Sequence, residues 1–168
     1  MKSDFDELYQ RHAAEVYRYL CRLLGTRLAA QELLQETFLK LHLHLDADRE
    51  LPQARAWLFH VATNLAHNHR RSELRASQRE AQYEFGARVL DFHQQLVEQQ
   101  LLERALASLT PQMRRVMLLS AEGFSYREIA EITGITAGYV GVLIARGRTA
   151  FKQFYQQQHG SGSTEKLG

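Results

Sequence analysis

The chain has 168 residues, 45% of them hydrophobic, and a formal charge of +2. That suits one ordinary domain or two very small ones, and it excludes a disordered chain, because enough apolar surface is present to build a core. A single cysteine, Cys21, rules out an intramolecular disulfide. The small net charge neither requires nor forbids a nucleic-acid partner, since local distribution outweighs the sum. Arginine is much commoner than lysine. That suits bidentate contacts to phosphates or bases, and equally reflects a GC-rich genome. The opening MKSDFDELY lacks a basic segment followed by an apolar run, so no secretion signal is expected. No apolar stretch reaches membrane-spanning length, so membrane insertion is not expected and a cytoplasmic location is.

Pro52 and Pro111 are the only prolines, and the helix formers Leu, Ala, Gln, Glu and Arg dominate, which predicts an all-α chain. A first helix is expected to open after Ser3 or Asp4, with Phe5, Leu8, Tyr9, His12, Val16, Tyr19, Leu20 and Leu23 at helical spacing and Gly25 as its stop. A second should run from about Leu28 to about Leu45, its buried stripe being Leu34, Thr37, Phe38 and Leu41. Asp46-Ala47-Asp48 reads as a break. Pro52 then suits the first turn of a third helix reaching Arg71 or beyond, with Trp57, Leu58, Val61, Ala62 and Leu65 facing inward. These three helices should form one bundle, a first domain over residues 1–75.

Residues 76–96 are polar and weakly periodic, which predicts a linker with partial helicity. Periodicity returns at Val97, Leu101, Leu102, Ala105, Leu106 and Leu109, opening a second domain over residues 97–158. Thr110-Pro111 has the form of an N-cap followed by proline at the first helical position. Ser125-Tyr126-Arg127-Glu128 has capping-box spacing, Gly134 suits a positive-φ turn, and Thr136 caps a last helix to about Gln157. Residues 159–168 are small and polar, a flexible tail or a cloning remnant.

From Tyr126 to Leu143 the pattern is that of a helix-turn-helix. Ile129, Thr133, Ile135, Val140 and Leu143 are spaced to pack two short helices around a tight turn, with small Ala130 at the crossing. Its second helix would enter a DNA major groove, with Tyr139 and Val142 reaching thymine methyls, Arg146 a phosphate or a guanine, and Arg148 the phosphate backbone. An ordinary helical hairpin in a bundle satisfies the same spacing. On the third helix His60, Asn64, His67 and Arg71 share one face with Arg70 nearby, a surface able to touch phosphates and bases beside the aromatics Trp57 and Phe59. It reads equally as a solvated face with Trp57 in the core. The pairs His42/His44 and His67/His69 have spacing that does not align metal ligands on a helix, so no metal and no cofactor are expected. No nucleophile elbow, phosphate loop or paired-acid constellation points to an enzyme.

Four runs, taken together, resemble the extracytoplasmic-function (ECF) group of sigma-70-type RNA polymerase sigma factors. Ala30-Gln31-Glu32-Leu33-Leu34-Gln35-Glu36-Thr37-Phe38 is similar to that family's polymerase-binding helix. Arg55-Ala56-Trp57-Leu58-Phe59-His60-Val61-Ala62-Thr63-Asn64-Leu65 is similar to its promoter-melting helix. Ala105-Leu106-Ala107-Ser108-Leu109-Thr110-Pro111-Gln112 and Gly123-Phe124-Ser125-Tyr126-Arg127-Glu128-Ile129-Ala130 resemble its second domain. The resemblance covers roughly residues 4–156. It implies a sigma factor with core RNA polymerase and promoter DNA as partners, and an anti-sigma factor as a further partner. Glu32, Gln35, Glu36 and Leu39 would bind the polymerase. Asn64, His67, Arg70 and Arg71 would open the minus-ten element, and the loop near Asp46–Pro52 would hold a flipped base. Tyr139, Val142, Arg146 and Arg148 would meet the minus-thirty-five duplex. Two positions depart from the family: His42 follows Leu41 where a tryptophan is common, and Gly141, Val142 and Leu143 stand where basic and hydroxyl residues are usual. Two other readings use the same residues: a helix-turn-helix regulator that does not dock on polymerase, and a protein-interaction module.

Overall fold

The computed structural model describes residues 2–46, 51, 53–80 and 96–160. All of the regular elements among them are helices: α1 (Lys2–Leu24), α2 (Arg27–Asp46), α3 (Ala54–Glu80), α4 (Leu96–Ser108), α5 (Pro111–Ala121), α6 (Tyr126–Thr133) and α7 (Ala137–Gly160). They fall into two units, Met1–Asp91 and Phe92–Gly168. The all-α expectation and the pair of small helical domains hold. The third helix runs on to Glu80, through the first residues of the expected linker. The rest of that linker, residues 81–95, lies outside the described residues, as do Pro52 and the tail 161–168.

In the first unit each of α1, α2 and α3 packs on the other two. Val16, Tyr19, Leu20 and Leu23 meet Ala29, Ala30, Leu33, Phe38 and Leu41 of α2 and Leu58, Phe59, Ala62 and Ala66 of α3. The small residues sit where helices approach and the large ones fill between them, as close packing demands. Three polar groups enter this core with partners. The Tyr19 hydroxyl lies 2.8 Å from Thr63 Oγ1, which donates to the Phe59 carbonyl at 2.6 Å. Thr37 Oγ1 donates to the Leu33 carbonyl at 2.7 Å. Buried hydroxyls left unpaired would each cost about 1–3 kcal/mol, so back-bonding to the helix is what allows them there. Across the rim Arg55 Nε reaches both Glu15 oxygens at 3.2 and 3.1 Å, and His12 Nδ1 lies 2.6 Å from Oε1 of the same carboxylate. This bridge joins α1 to the start of α3. Gly25 turns the chain between α1 and α2 at φ 73°, its N–H donating to the Cys21 carbonyl at 2.8 Å.

In the second unit α4 and α5 pack on α7, and α6 packs on both α5 and α7. The core is Ala105, Leu106, Leu109, Val116, Leu118, Leu119, Phe124, Ile129, Ile132, Val140, Leu143 and Ile144. Buried Arg114 is its polar exception. Its Nε donates to the Leu106 carbonyl at 2.7 Å, which also accepts from the Leu109 N–H at 3.2 Å, and its Nη2 donates to the Leu109 carbonyl at 3.5 Å, tying α5 to the end of α4. Thr110 caps α5 by accepting from Met113 N–H at 3.3 Å, with Pro111 at the first helical position. Buried Gly147 of α7 faces the Met117 side chain of α5, which a Cβ there would push aside.

Candidate nucleic-acid and protein interfaces

The helix-turn-helix is built by three local devices. Ser125 Oγ accepts from Glu128 N–H at 3.3 Å while Glu128 Oε2 accepts from Ser125 N–H at 2.7 Å, closing the capping box that starts α6. Gly134 ends α6 in the left-handed conformation at φ 72°, its N–H donating to the Ala130 carbonyl at 2.9 Å. Between α6 and α7 the chain bends by 102°, inside the range of a helix-turn-helix. Ile129, Val140 and Leu143 are buried as their spacing predicts, while Thr133 and Ile135 are half-buried at the turn.

Of the residues assigned to the DNA side of α7, Tyr139, Val142, Arg146 and Arg148 are all exposed. Tyr139, Val142 and Arg146 lie within one arc of the helix. Arg148 is nine residues from Tyr139, half a turn out of phase, so it stands at the opposite edge of the exposed face, in line with Gly141. Tyr126 joins this surface although periodicity along α7 does not reveal it. Its ring lies against Gly141, with Cε2 3.4 Å from where a Cβ would be. Only the turn geometry brings those two positions together.

On α3, Asn64, His67 and Arg71 are exposed on one face and Arg70 is half-buried beside them. Asn64 Nδ2 lies 3.0 Å from His60 Nε2, and His69 Nε2 lies 3.5 Å from Glu73. Of the two aromatics beside this face, Phe59 departs from the stacking expectation. Phe59 is fully buried, its ring 5.1 Å from Tyr19 with the Arg55 guanidinium 5.2 Å over it, so it is closed to bases. Trp57 is half-buried, 5.0 Å from the His44 ring. Most of the loop assigned to a flipped base, including residues 47–50 and Pro52, lies outside the described residues.

Glu32, Gln35, Glu36 and Leu39 are all exposed on the side of α2 opposite its core stripe. Leu28 and Leu43 join them at 71% and 60% exposure, with Leu39 at 57%. The sequence signal for both was present: each lies four residues from a member of the face, Leu28 before Glu32 and Leu43 after Leu39. The result is an unburied leucine stripe interleaved with carboxylates, where a monomeric helix ordinarily shows only polar residues. Lys40 Nζ flanks it, 3.9 Å from Glu36. Among the described residues no three His, Cys, Asp or Glu side chains converge on a common point. No single helix among them is long and apolar enough to cross a membrane.

The described residues thus form a three-helix unit with exposed leucines on α2, followed by a unit carrying a helix-turn-helix. Residues 8–76 match the family Sigma-70 region 2, and residues 99–151 match Sigma-70, region 4. ECF RNA polymerase sigma factor SigL of Mycobacterium tuberculosis (strain ATCC 25618 / H37Rv) is 34% identical over 139 residues, covering 79% of this chain and 78% of SigL. ECF RNA polymerase sigma factor SigE of Mycolicibacterium smegmatis is 31% identical over 168 residues; the match takes in 96% of this chain and 65% of SigE. The chain belongs to the ECF family of RNA polymerase sigma factors. Its fold is that of the sigma factor RpoE from Bartonella quintana, solved in complex with the anti-sigma factor NepR. There the TM-score is 0.77 at 23% identity, covering 91% of this chain and 97% of that one.

Proposed function

We propose that this chain is a dissociable initiation factor. It binds core RNA polymerase through the exposed face of α2, opens the minus-ten element along the polar face of α3, and docks the minus-thirty-five duplex with α7. It performs no chemistry of its own, needs no metal or cofactor, and works in the cytoplasm beside the polymerase. The family match supports the role as a whole. The observation that carries the division of labour is the α2 stripe: Leu28, Leu39 and Leu43 stand in water on a helix whose other side is packed. Burying those three side chains against a partner would contribute roughly 1.5–3 kcal/mol each, and Glu32, Gln35 and Glu36 would set register by polar contact.

The anti-sigma complex of the Bartonella quintana relative supports the same kind of partner for this chain. An inhibitor that covered the α2 face would compete directly with polymerase.

The test is a titration of labelled chain with core polymerase. Glu36→Arg should weaken binding while the circular dichroism spectrum stays unchanged. Unaltered affinity for both Glu36→Arg and Leu39→Asp would defeat the α2 docking reading.

A further inference from the structure

In a helix-turn-helix the first turns of the second helix meet the base edges. On α7 those turns carry Gly138, Tyr139, Gly141, Val142, Ala145 and Arg146. With 3.6 residues per turn, Gly138, Val142 and Ala145 run down the centre of the exposed face, opposite buried Val140, Leu143 and Ile144. Nothing longer than valine stands there. Tyr139 rises at one edge. At the other edge Gly141 has no side chain of its own, and the Tyr126 ring from the start of α6 takes that place, 3.4 and 3.7 Å from a notional Cβ. Tyr126, Tyr139 and Val142 are 45%, 44% and 41% exposed, so all three present surface outward.

Reading bases by hydrogen bonds needs amide, carboxylate or guanidinium groups over the groove. The centre of this face has none, and the Thr149 hydroxyl further along is turned back to the Ala145 carbonyl at 3.1 Å. What a strip of methyl, Cα and ring surface can distinguish is the 5-methyl group of thymine. Charge selects duplex DNA over a protein as the occupant. Helix α7 carries no acidic side chain, and its cations Arg146, Arg148 and Lys152 are exposed around the apolar strip, which matches phosphates on either side of a groove.

We infer that Tyr126, seated over Gly141, is a specificity-determining residue that reads thymine 5-methyl groups in the promoter duplex together with Val142 and Tyr139. This rests on the docking of α7 in the major groove proposed above. A Cβ at Gly141 would only touch the ring, at van der Waals distance, whereas a longer side chain would compete with it for that edge of the face.

The experiment uses the full chain bound to core polymerase and a duplex pool with about ten randomised upstream base pairs, one helical turn. Enriched duplexes are resynthesised with deoxyuridine for thymine in that turn, which removes only the methyl groups. We expect thymine-bearing duplexes to be enriched, and the deoxyuridine versions to bind about 5-fold more weakly or worse. Tyr126→Ala and Val142→Ala should each weaken binding to the thymine duplex and bring the thymine-to-deoxyuridine ratio towards one. Tyr126→Phe, which keeps the ring, should preserve the ratio. If sequences are enriched but thymine and deoxyuridine duplexes bind equally, methyl reading is overturned while docking stands. If the holoenzyme assembles and enriches no upstream sequence, α7 docking itself falls, and the inference with it.

Discussion

Two helical faces of this protein both expose apolar side chains and differ in the residues around them. The outer face of α2 offers Leu28, Leu39 and Leu43 among Glu32, Gln35 and Glu36; that of α7 offers Val142 and Tyr139 among glycines, with Arg146 and Arg148. Leucines with two carboxylates, Glu32 and Glu36, between them suit a protein groove better than a phosphate backbone. Small residues and flat rings, bordered by cations, let a helix backbone approach base pairs. The sign of the surrounding charge and the size of the central side chains separate the two surfaces; their hydrophobicity does not.

The largest effect should come from breaking the α2 face. Leu39→Asp combined with Leu43→Asp is expected to weaken core-polymerase binding by about 100-fold, the scale of a lost interface anchor, with helix content and duplex binding by the second unit retained. A titration against fluorescent core measures it, and a change below a few-fold would remove the leucines from the interface. The matching break on α7 is smaller. Arg146→Ala with Arg148→Ala should lower promoter affinity about 10-fold at moderate salt and flatten the log–log salt slope by about 2, one for each phosphate no longer neutralised. Core binding should be spared. An unchanged slope would show that these arginines do not touch the backbone.

On α3, Arg70→Ala with Arg71→Ala should reduce open-complex formation several-fold, roughly 1 kcal/mol, without altering assembly with core. Permanganate footprinting reads it, and normal melting would move strand opening to another surface. The smallest change sharpens the comparison by loosening the frame of α7 and leaving its face alone. Ser125→Ala removes one half of the capping box and should cost about 1 kcal/mol of stability in the second unit. Thermal unfolding of that unit should come about 4–8 °C lower, while α2 binding to polymerase is unaffected. Loss of core affinity in this variant would show that the two faces are not independent.

Much of the fold is readable in the sequence because helical periodicity is local. Phe5 to Leu23, Leu101 to Leu109 and the caps at Thr110 and Ser125 each declare themselves within a turn or two, and the structure places them accordingly. Phe59 misleads as a stacking surface because it directly precedes His60, the first residue of the polar face. What encloses it is Tyr19 and Arg55, and Tyr19 belongs to a different helix. Helix α3 exceeds its expected length for the opposite reason: residues 72–80 lack an apolar stripe, yet they contain no proline or glycine to stop a helix already nucleated.

By itself the sequence determined most of the helices, the caps at Thr110 and Ser125 and the division into two small helical units, since each depends on spacing along one chain; the family stood in it as a resemblance of four runs. It also determined that Glu32, Gln35, Glu36 and Leu39 share a side of α2, because 3.6-residue periodicity is enough for that. Only the tertiary structure decided which sides remain in water, and so showed Leu28 and Leu43 exposed beside those four residues. It alone set Tyr126 over Gly141, because that contact exists only after the chain bends by 102° between α6 and α7. Faces are local properties of a helix, whereas a surface shared by two helices depends on the angle at which they meet.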